Sequence, residues 1–286
     1  MAVLLSGAEV VNSMKEELSR RVVKLGEEGK IPCLGIVRIG ERPDDLAYER
    51  SAMKRVQGLG LECKVFSYPE SVSSGDFVSD FEKINADTNV HGILVLRPLP
   101  KHIDEEIIKN IIDPEKDIDC MSHVNTSKVF AADGTGYAPC TPRAVIEMFR
   151  HFNIPLKGKR VTVVGRSMVV GKPLSMLLLK ENATVTICHT KTEDLEAECK
   201  KAEILIAAAG VPKMIKESYV SKGAVVIDVG INVDDKGNLC GDVDFESVEP
   251  AAGFITPVPG GVGTVTASVL AMHTITACER RNKHGE

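Results

Sequence analysis

Tryptophan is absent from the sequence, and aromatic residues make up only 4% of its 286 positions. That leaves little material for the stacked aromatic platforms that hold single-stranded nucleic acid. Neither sign of charge dominates: 35 Lys and Arg stand against 40 Asp and Glu, mixed along the chain, for a net charge of -5. No nucleic-acid partner is expected from such a surface. No apolar run approaches the roughly 20 residues that a membrane span needs, so no membrane partner is expected either. The eight cysteines (Cys33, Cys63, Cys120, Cys140, Cys188, Cys199, Cys240 and Cys278) form no C-x-x-C pair, which argues against a zinc ribbon or a thioredoxin-like site, and no metal is expected. The apolar start, Met1 to Leu5, is too short for a secretory signal. Reduced thiols and a cytoplasmic location are the expectation.

What the sequence does have is a hydrophobic fraction of 43%, enough for a buried core, and a length that suits one large domain or two modest ones. Residues 8–25 carry apolar side chains at helical spacing and read as an amphipathic helix. The run 33–38 (CLGIVR) reads as a strand, 45–59 as a helix, 62–68 as a strand, 74–85 as a helix and 92–96 as a buried strand. Strands alternating with helices predict a parallel sheet with crossover helices. Pro139 and Pro142 stiffen a turn and mark a boundary. A helix over 143–152 follows, then a second series with strands at 160–164, 184–188, 204–208 and 224–229. Residues 232–243, with Asp-Lys-Gly-Asn inside, predict a hairpin, and 264–281 a last long helix.

The most informative local feature is the end of the 160–164 strand. This β-branched run passes at once into Gly165-Arg166-Ser167, then Gly171-Lys172-Pro173 and a helix over 174–180. A strand that ends in a glycine turn and opens a helix aims backbone N–H groups at a phosphate. Gly165 permits the turn, Gly171 a close approach, and Pro173 suits a first helical turn, where its missing N–H costs little. The spacing is not G-x-G-x-x-G, so an ordinary strand-to-helix turn is the competing reading. The next strand ends in Cys188-His189-Thr190-Lys191, with no acid where NAD-binding chains place one for the ribose. Arg166, Thr190 and Lys191 can hold a 2′-phosphate instead, which favours NADP over NAD. His189 can equally be a residue packed at a strand end.

Several segments, in order, carry a family resemblance: Tyr48-Glu49-Arg50-Ser51, Pro98-Leu99-Pro100-Lys101-His102, Asp117-Ile118-Asp119, the turn at Pro139 to Pro142, Gly165-Arg166-Ser167 with Val169-Val170-Gly171-Lys172-Pro173, and Thr256-Pro257-Val258-Pro259-Gly260-Gly261-Val262-Gly263. Together they resemble the methylenetetrahydrofolate dehydrogenase/cyclohydrolase family over nearly the whole chain. The resemblance implies an α/β chain of two domains, an N-terminal α/β domain and a Rossmann-like doubly wound parallel sheet, with folate in an interdomain cleft. Residues 1–140 plus 265–286 would form the folate-binding catalytic domain and 141–264 the dinucleotide-binding one, in a homodimer. It implies that Tyr48 stacks on the folate and Asp119 hydrogen-bonds the pterin, both as catalytic-site residues. Val95, Leu96 and Arg97 would line the substrate site, and Gly165, Arg166, Ser167, Thr190 and Ile231 would contact the dinucleotide. The loop with Pro259, Gly260, Gly261 and Gly263 would close over the substrate.

The sequence departs from that family at the position of its catalytic lysine, four residues after the tyrosine, which is Ala52 here. Lys54 is rotated by about 200° around the helix from Ala52 and is a poor substitute. Where the family reads V-Q-L-P-L-P, this chain reads Val95-Leu96-Arg97-Pro98-Leu99-Pro100, so the lysine's glutamine partner is Leu96. The joint loss is coherent, because a buried amide left without its partner costs roughly 1–3 kcal/mol. Further departures are Asp45 for serine, Cys120 for glycine and Thr264 for proline. Hydride loss from a methylene carbon beside a nitrogen lone pair moves no proton there and depends on orientation. Hydrolysis of the resulting methenyl cation must deprotonate water and protonate a leaving nitrogen, which general acid–base catalysis helps by typically 10²–10⁴-fold. The expectation is therefore an NADP-dependent dehydrogenase acting on a tetrahydrofolate derivative, with weak or absent cyclohydrolase activity. The alternatives are a fully bifunctional enzyme using Lys54 or Arg97, a two-domain dehydrogenase of small hydroxy or amino acids (for which no Lys-Asp or His-acid pair is evident), and a catalytically impaired nucleotide-binding protein.

Overall fold

The structure, a computed structural model, describes residues 2–283; Met1 and residues 284–286, which the expected domain division includes, lie outside them. In chain order the elements are β1 (Val3–Leu4), α1 (Gly7–Glu27), β2 (Cys33–Ile39), α2 (Pro43–Gln57), β3 (Glu62–Tyr68), α3 (Ser74–Ala86), β4 (Gly92–Val95), α4 (Glu105–Ile111), α5 (His123–Ala131), α6 (Cys140–His151), β5 (Arg160–Val164), α7 (Gly171–Lys180), β6 (Thr184–Cys188), α8 (Leu195–Lys200), β7 (Ile204–Ala207), β8 (Val225–Asp228), β9 (Asn232–Val233), β10 (Leu239–Cys240), α9 (Phe245–Val248), β11 (Phe254–Ile255) and α10 (Val262–Lys283). The chain is α/β and divides into two compact units, one holding residues 2–13 and Thr141–Thr266, the other Met14–Cys140 and residues 267–283.

The first unit contains a six-stranded, wholly parallel sheet in the order β1-β11-β8-β7-β5-β6. From β5 the chain moves out to β6 and then returns to β7 on the other side of β5, so the strand order reverses between β5 and β7. In an open α/β sheet, the crevice beyond the carboxyl ends of the strands at such a reversal is where ligands bind. β7 and β8 are buried along their whole length, as apolar parallel strands covered on both faces must be. The first residues depart from the expected division, which put 1–13 with the other domain. β1 pairs in parallel with β11, Val3 opposite Phe254 and Leu4 opposite Ile255. A two-residue strand carries no readable periodicity, and only the sheet edge gives it a partner.

The second unit is built on a three-stranded parallel sheet, β3-β2-β4, with β2 at its centre and completely buried. The segment after α4 extends it, since Asp117 bridges Ile93 in parallel. Val37, Ile39, Ile93 and Val95 from the strands pack with Phe77 and Phe81 of α3 and Ile108 of α4. α2 starts with proline, carries Asp44 and Asp45 in its first turn and Lys54 and Arg55 in its last, and buries the stripe Asp45, Glu49, Ala52 and Val56. Proline at the start, acids early and bases late suit the unpaired N–H groups and the helix dipole. The anticipated boundary turn is instead the first turn of α6, with Pro142 inside it. The hairpin expected in 232–243 is present as β9 and β10, antiparallel. Among the described residues no helix is long and apolar enough to cross a membrane, and no cluster of three or more His, Cys, Asp or Glu is arranged to hold a metal.

Candidate active site

In the sheet of the first unit, Gly165 follows β5 with φ of 136°. A Cβ there would lie 2.1 Å from the carbonyl oxygen of Ala208, which follows β7. Gly171 is equally constrained, since its Cβ would meet the Gly165 carbonyl oxygen at 2.1 Å. The turn is thus pressed between the end of β7 and the start of α7, and only glycine fits at both places. Ser167 turns back on the helix start: its Oγ accepts from the N–H of Val170 at 3.1 Å, and its carbonyl from the N–H of Lys172 at 3.0 Å. Arg166 and Ser167 are exposed, as are Thr190 and Lys191 beyond β6. His189 serves its own turn, its Nδ1 accepting from the N–H of Lys191 at 3.1 Å. The cradle that a Cβ would fill, at the strand-order reversal, fits a dinucleotide phosphate.

Two buried aspartates that the sequence reading missed shape the same edge of the sheet. Asp242 is fully buried and accepts four hydrogen bonds. Its Oδ2 takes the N–H groups of Ala209 at 2.6 Å and Gly210 at 3.0 Å, and its Oδ1 takes Val211 N–H at 2.9 Å and Asn232 Nδ2 at 2.8 Å. Asp228, at the end of β8, accepts from the N–H groups of Gly230, Asp242 and Val243. Burial pushes its carboxyl up to about 6, against those three N–H groups, which favour the charged form. The pair ties the loops after β7 and β8 to the strand leaving the hairpin. The close packing of this pair also accounts for two glycines: a Cβ on Gly230 would strike Asp242, and one on Gly241 would strike Asp228.

Ile231, 67% exposed, lies in the loop that this pair holds, and its Cδ1 is 3.3 Å from where a Cβ on Gly263 would be. The structure therefore brings Ile231 against the Pro259–Gly263 segment, which belongs to this unit. Pro259, Gly260 and Gly263 are exposed and Gly261 is buried. The segment is anchored by Gly7, whose N–H donates to the Gly260 carbonyl at 2.8 Å, and by Thr256, whose Oγ1 accepts from Asp228 N–H at 2.7 Å. A cavity of about 640 Å³, lined by residues that include Phe152, Lys159, Glu203, Lys222 and Phe254, lies at the opposite, amino-terminal edge of the same sheet and does not coincide with the phosphate turn.

In the second unit, the remaining expected residues gather around the carboxyl ends of β2 and β4. Tyr48 is half-buried on α2, Ala52 is completely buried one turn later, and Lys54 is exposed, as the helical rotation required. Val95 and Leu96 are buried at the end of β4, and Leu96 N–H donates to the Val37 carbonyl at 2.9 Å. Extending the parallel register Val37–Val95 by one residue places Arg38 beside Leu96, on a common face. Arg38 and Glu49 form a buried ion pair at 2.8 Å that the sequence reading also missed. Its Glu49 stands three residues before Ala52, on the same buried stripe of α2. Asp45 pairs through both oxygens with Arg42, at 2.8 Å each.

Asp119 lies two residues beyond the bridge between Asp117 and Ile93 of β4, and its carboxylate faces Arg97. Its Oδ1 accepts from Cys140 N–H at 2.8 Å, and its Oδ2 is 3.7 Å from Arg97 Nη2. Burial raises its carboxyl above the usual range, while Cys140 N–H and the Arg97 guanidinium act in the other direction. Next to it Asp117 is buried and fully used within the protein, accepting from Met121 N–H, Ser122 and Asn125. The two acids of Asp117-Ile118-Asp119 thus have different tasks: the first folds the loop, and the second offers a partly exposed carboxyl.

The family model described as tetrahydrofolate dehydrogenase/cyclohydrolase, catalytic domain, matches residues 5–119, and the one described as the NAD(P)-binding domain of the same family matches 139–282. The chain belongs to the tetrahydrofolate dehydrogenase/cyclohydrolase family. Its relatives include a protein named bifunctional protein FolD from Clostridioides difficile, 53% identical over 279 residues, covering 98% of this chain and 97% of the relative. Among solved structures, the bifunctional enzyme FolD of Campylobacter jejuni superposes with a TM-score of 0.95 at 35% identity, over 98% of this chain and all of that one. The Trypanosoma brucei methylenetetrahydrofolate dehydrogenase-cyclohydrolase, solved with NADP and an inhibitor, gives 0.92 at 35% identity over 98% of each chain. The family assignment accounts for the two units: a catalytic domain, and an NAD(P)-binding domain that holds the Gly165 turn.

Proposed function

We propose that this chain oxidises 5,10-methylenetetrahydrofolate to the 5,10-methenyl cation with NADP, and that its methenyltetrahydrofolate cyclohydrolase activity is weak or absent. The observation that carries the reading is the contrast between a tightly built glycine turn after β5 and the two positions where the family carries its lysine and glutamine, which here are Ala52 and Leu96, both apolar and both buried. NADP, when bound, supplies the hydride acceptor. In this reading the backbone of Gly165, Arg166 and Ser167 holds its phosphates, Arg166 and Thr190 recognise the 2′-phosphate, and Ile231 packs against its nicotinamide end. Tyr48 stacks on the folate, Asp119 anchors the pterin, and the Pro259–Gly263 segment excludes water. The substrate's own nitrogen lone pair drives out the hydride, so orientation by these groups is sufficient. Hydrolysis asks for more. Ala52 and Leu96 offer no proton acceptor or donor, and Lys54, exposed on α2, points away from Ala52's face. The bifunctional names of the relatives favour the second reading, in which hydrolysis is retained through other groups. The reading also includes a homodimer in the cytoplasm, which light scattering on the purified protein tests in its first part.

The deciding experiment supplies methylenetetrahydrofolate with NADP and follows reduced nicotinamide, then supplies methenyltetrahydrofolate alone and follows its absorbance. The expected result is dehydrogenase turnover with slow hydrolysis, unaltered in Lys54→Ala. Hydrolysis as fast as the dehydrogenase step overturns the second half of the reading. No turnover with NADP or NAD overturns the first.

A further inference from the structure

Arg97 leaves the end of β4 with its guanidinium between two carboxylates, Nη2 at 3.7 Å from Asp119 Oδ2 and Nη1 at 3.8 Å from Glu105 Oε1. Glu105 is held in turn by Lys109 at 3.0 Å, one turn along α4. The Arg97 and Asp119 side chains are only 21% and 24% exposed, so water screens their attraction less than it does that of a surface pair. Asp119 thus accepts a hydrogen bond from Cys140 N–H, at the start of α6, on Oδ1, and faces the Arg97 charge at 3.7 Å on Oδ2, an ion pair longer than a hydrogen bond. One hydrogen bond on Oδ1 and an ion pair at Oδ2 leave lone pairs on both oxygens to accept from a ligand. Paired N–H donors, such as the ring N–H and amino group of a pterin, match such an acceptor only while it is ionised.

We infer that Arg97 is a positioning residue for the folate substrate: its guanidinium, 3.7 Å from Asp119 Oδ2, holds that carboxylate charged as the pterin's acceptor. The inference rests on the proposed role of Asp119 as pterin anchor. The groups facing Asp119 divide clearly. Burial and the neighbouring Asp117 oppose its charge, and Arg97 and Cys140 N–H support it. The thiols of Cys120 and Cys140 are pushed upward by burial and stay neutral at working pH. His273, on α10, meets this cluster through Cys140 Sγ at 4.0 Å and the Ile118 carbonyl at 2.8 Å. Removing Arg97 takes away a support for the charge while burial and Asp117 still oppose it, so Asp119 would take up a proton at a higher pH.

The test is the pH profile of KM and kcat for methylenetetrahydrofolate in the full chain, wild type against R97L and R97K, with NADP saturating. In R97L the acidic limb of kcat/KM is expected to move up by about one pH unit, which is a rise in KM of about tenfold on that limb and little change above it. kcat and the KM for NADP should stay close to wild type, and R97K should lie between. In a D119N background R97L should produce no further shift. If R97L does not fold, R97Q, which removes the charge and keeps polar reach, gives the same reading. A KM change that is equal at every pH, or none at all, overturns this inference while leaving the dehydrogenase reading intact. Absence of turnover in the wild type overturns both.

Discussion

Replacing Asp242 by asparagine is the sharpest test of how the cofactor edge is held. Both of its oxygens accept two N–H donors, Ala209 and Gly210 on one, Val211 and Asn232 on the other. An amide has one oxygen and one NH₂ group, so either flip turns an NH₂ toward two N–H donors and loses two hydrogen bonds. Bonds to a charged acceptor contribute about 1.5–3 kcal/mol each, so the substitution should cost about 3–6 kcal/mol. The carboxylate is fully buried, while its donors come from a loop in which Gly210 and Val211 are exposed, so solvation of that loop places the cost toward the lower end of this range. The expected result is a fall in the urea unfolding midpoint with little change in slope. A weakened Kd for NADP should accompany it, because the loop 209–211 and Ile231's loop are both tied to this carboxylate. An unchanged midpoint would refute the argument that this carboxylate organises the edge. A lowered midpoint with unaltered NADP binding would confine its role to folding.

Three further outcomes follow from the same structure. Gly165→Ala places a methyl group 2.1 Å from the Ala208 carbonyl oxygen at a φ of 136°, so NADP binding measured by fluorescence should fall by an order of magnitude or more, and unchanged affinity would argue against the phosphate turn. His91, held neutral by burial and by Arg281 and Lys116, is lowered from 6.5 to about 4. The unfolded chain therefore binds that proton first, and stability present above pH 6.5 is lost as pH falls toward 4. His91→Gln should flatten the denaturation midpoint over that window, and an unchanged pH dependence would count against it. The double variant Ala52→Lys/Leu96→Gln should raise methenyl hydrolysis by about 10²-fold or more, the scale of general acid–base help, and no gain would show that more than these two positions limits the reaction.

Much of the secondary structure was legible because the pattern is local. β5 and β6 were read with their observed bounds, since each is a compact apolar run rich in β-branched residues. The short helices α4, α5 and α8 were not read, although Asp104, Ser122 and Asp194 each accept a hydrogen bond from the helix they precede. Six to nine residues show too few turns for periodicity to stand out, and their N-caps were the available signal. That Lys54 faces away from Ala52 followed from helical rotation alone, and the burial of Ala52 then put Lys54 on the exposed side.

The Arg38–Glu49 pair and the Asp228 and Asp242 bonds were illegible for the opposite reason. Residues 38 and 49 meet only because α2 packs its buried stripe over the sheet, and Asp242 reaches Ala209 across 33 positions of sequence. The alternation of strands and helices, the glycine turn after β5 and the lack of a lysine at position 52 are all readable along the chain, because each is a property of neighbouring residues or of a motif read in order. Which carboxylates are spent on holding loops, and which, like Asp119 near Arg97, stay partly open to a ligand, is set by packing between distant segments. An aspartate's role depends on what burial and distant N–H groups do to it, and a chain read in one dimension does not contain those distances.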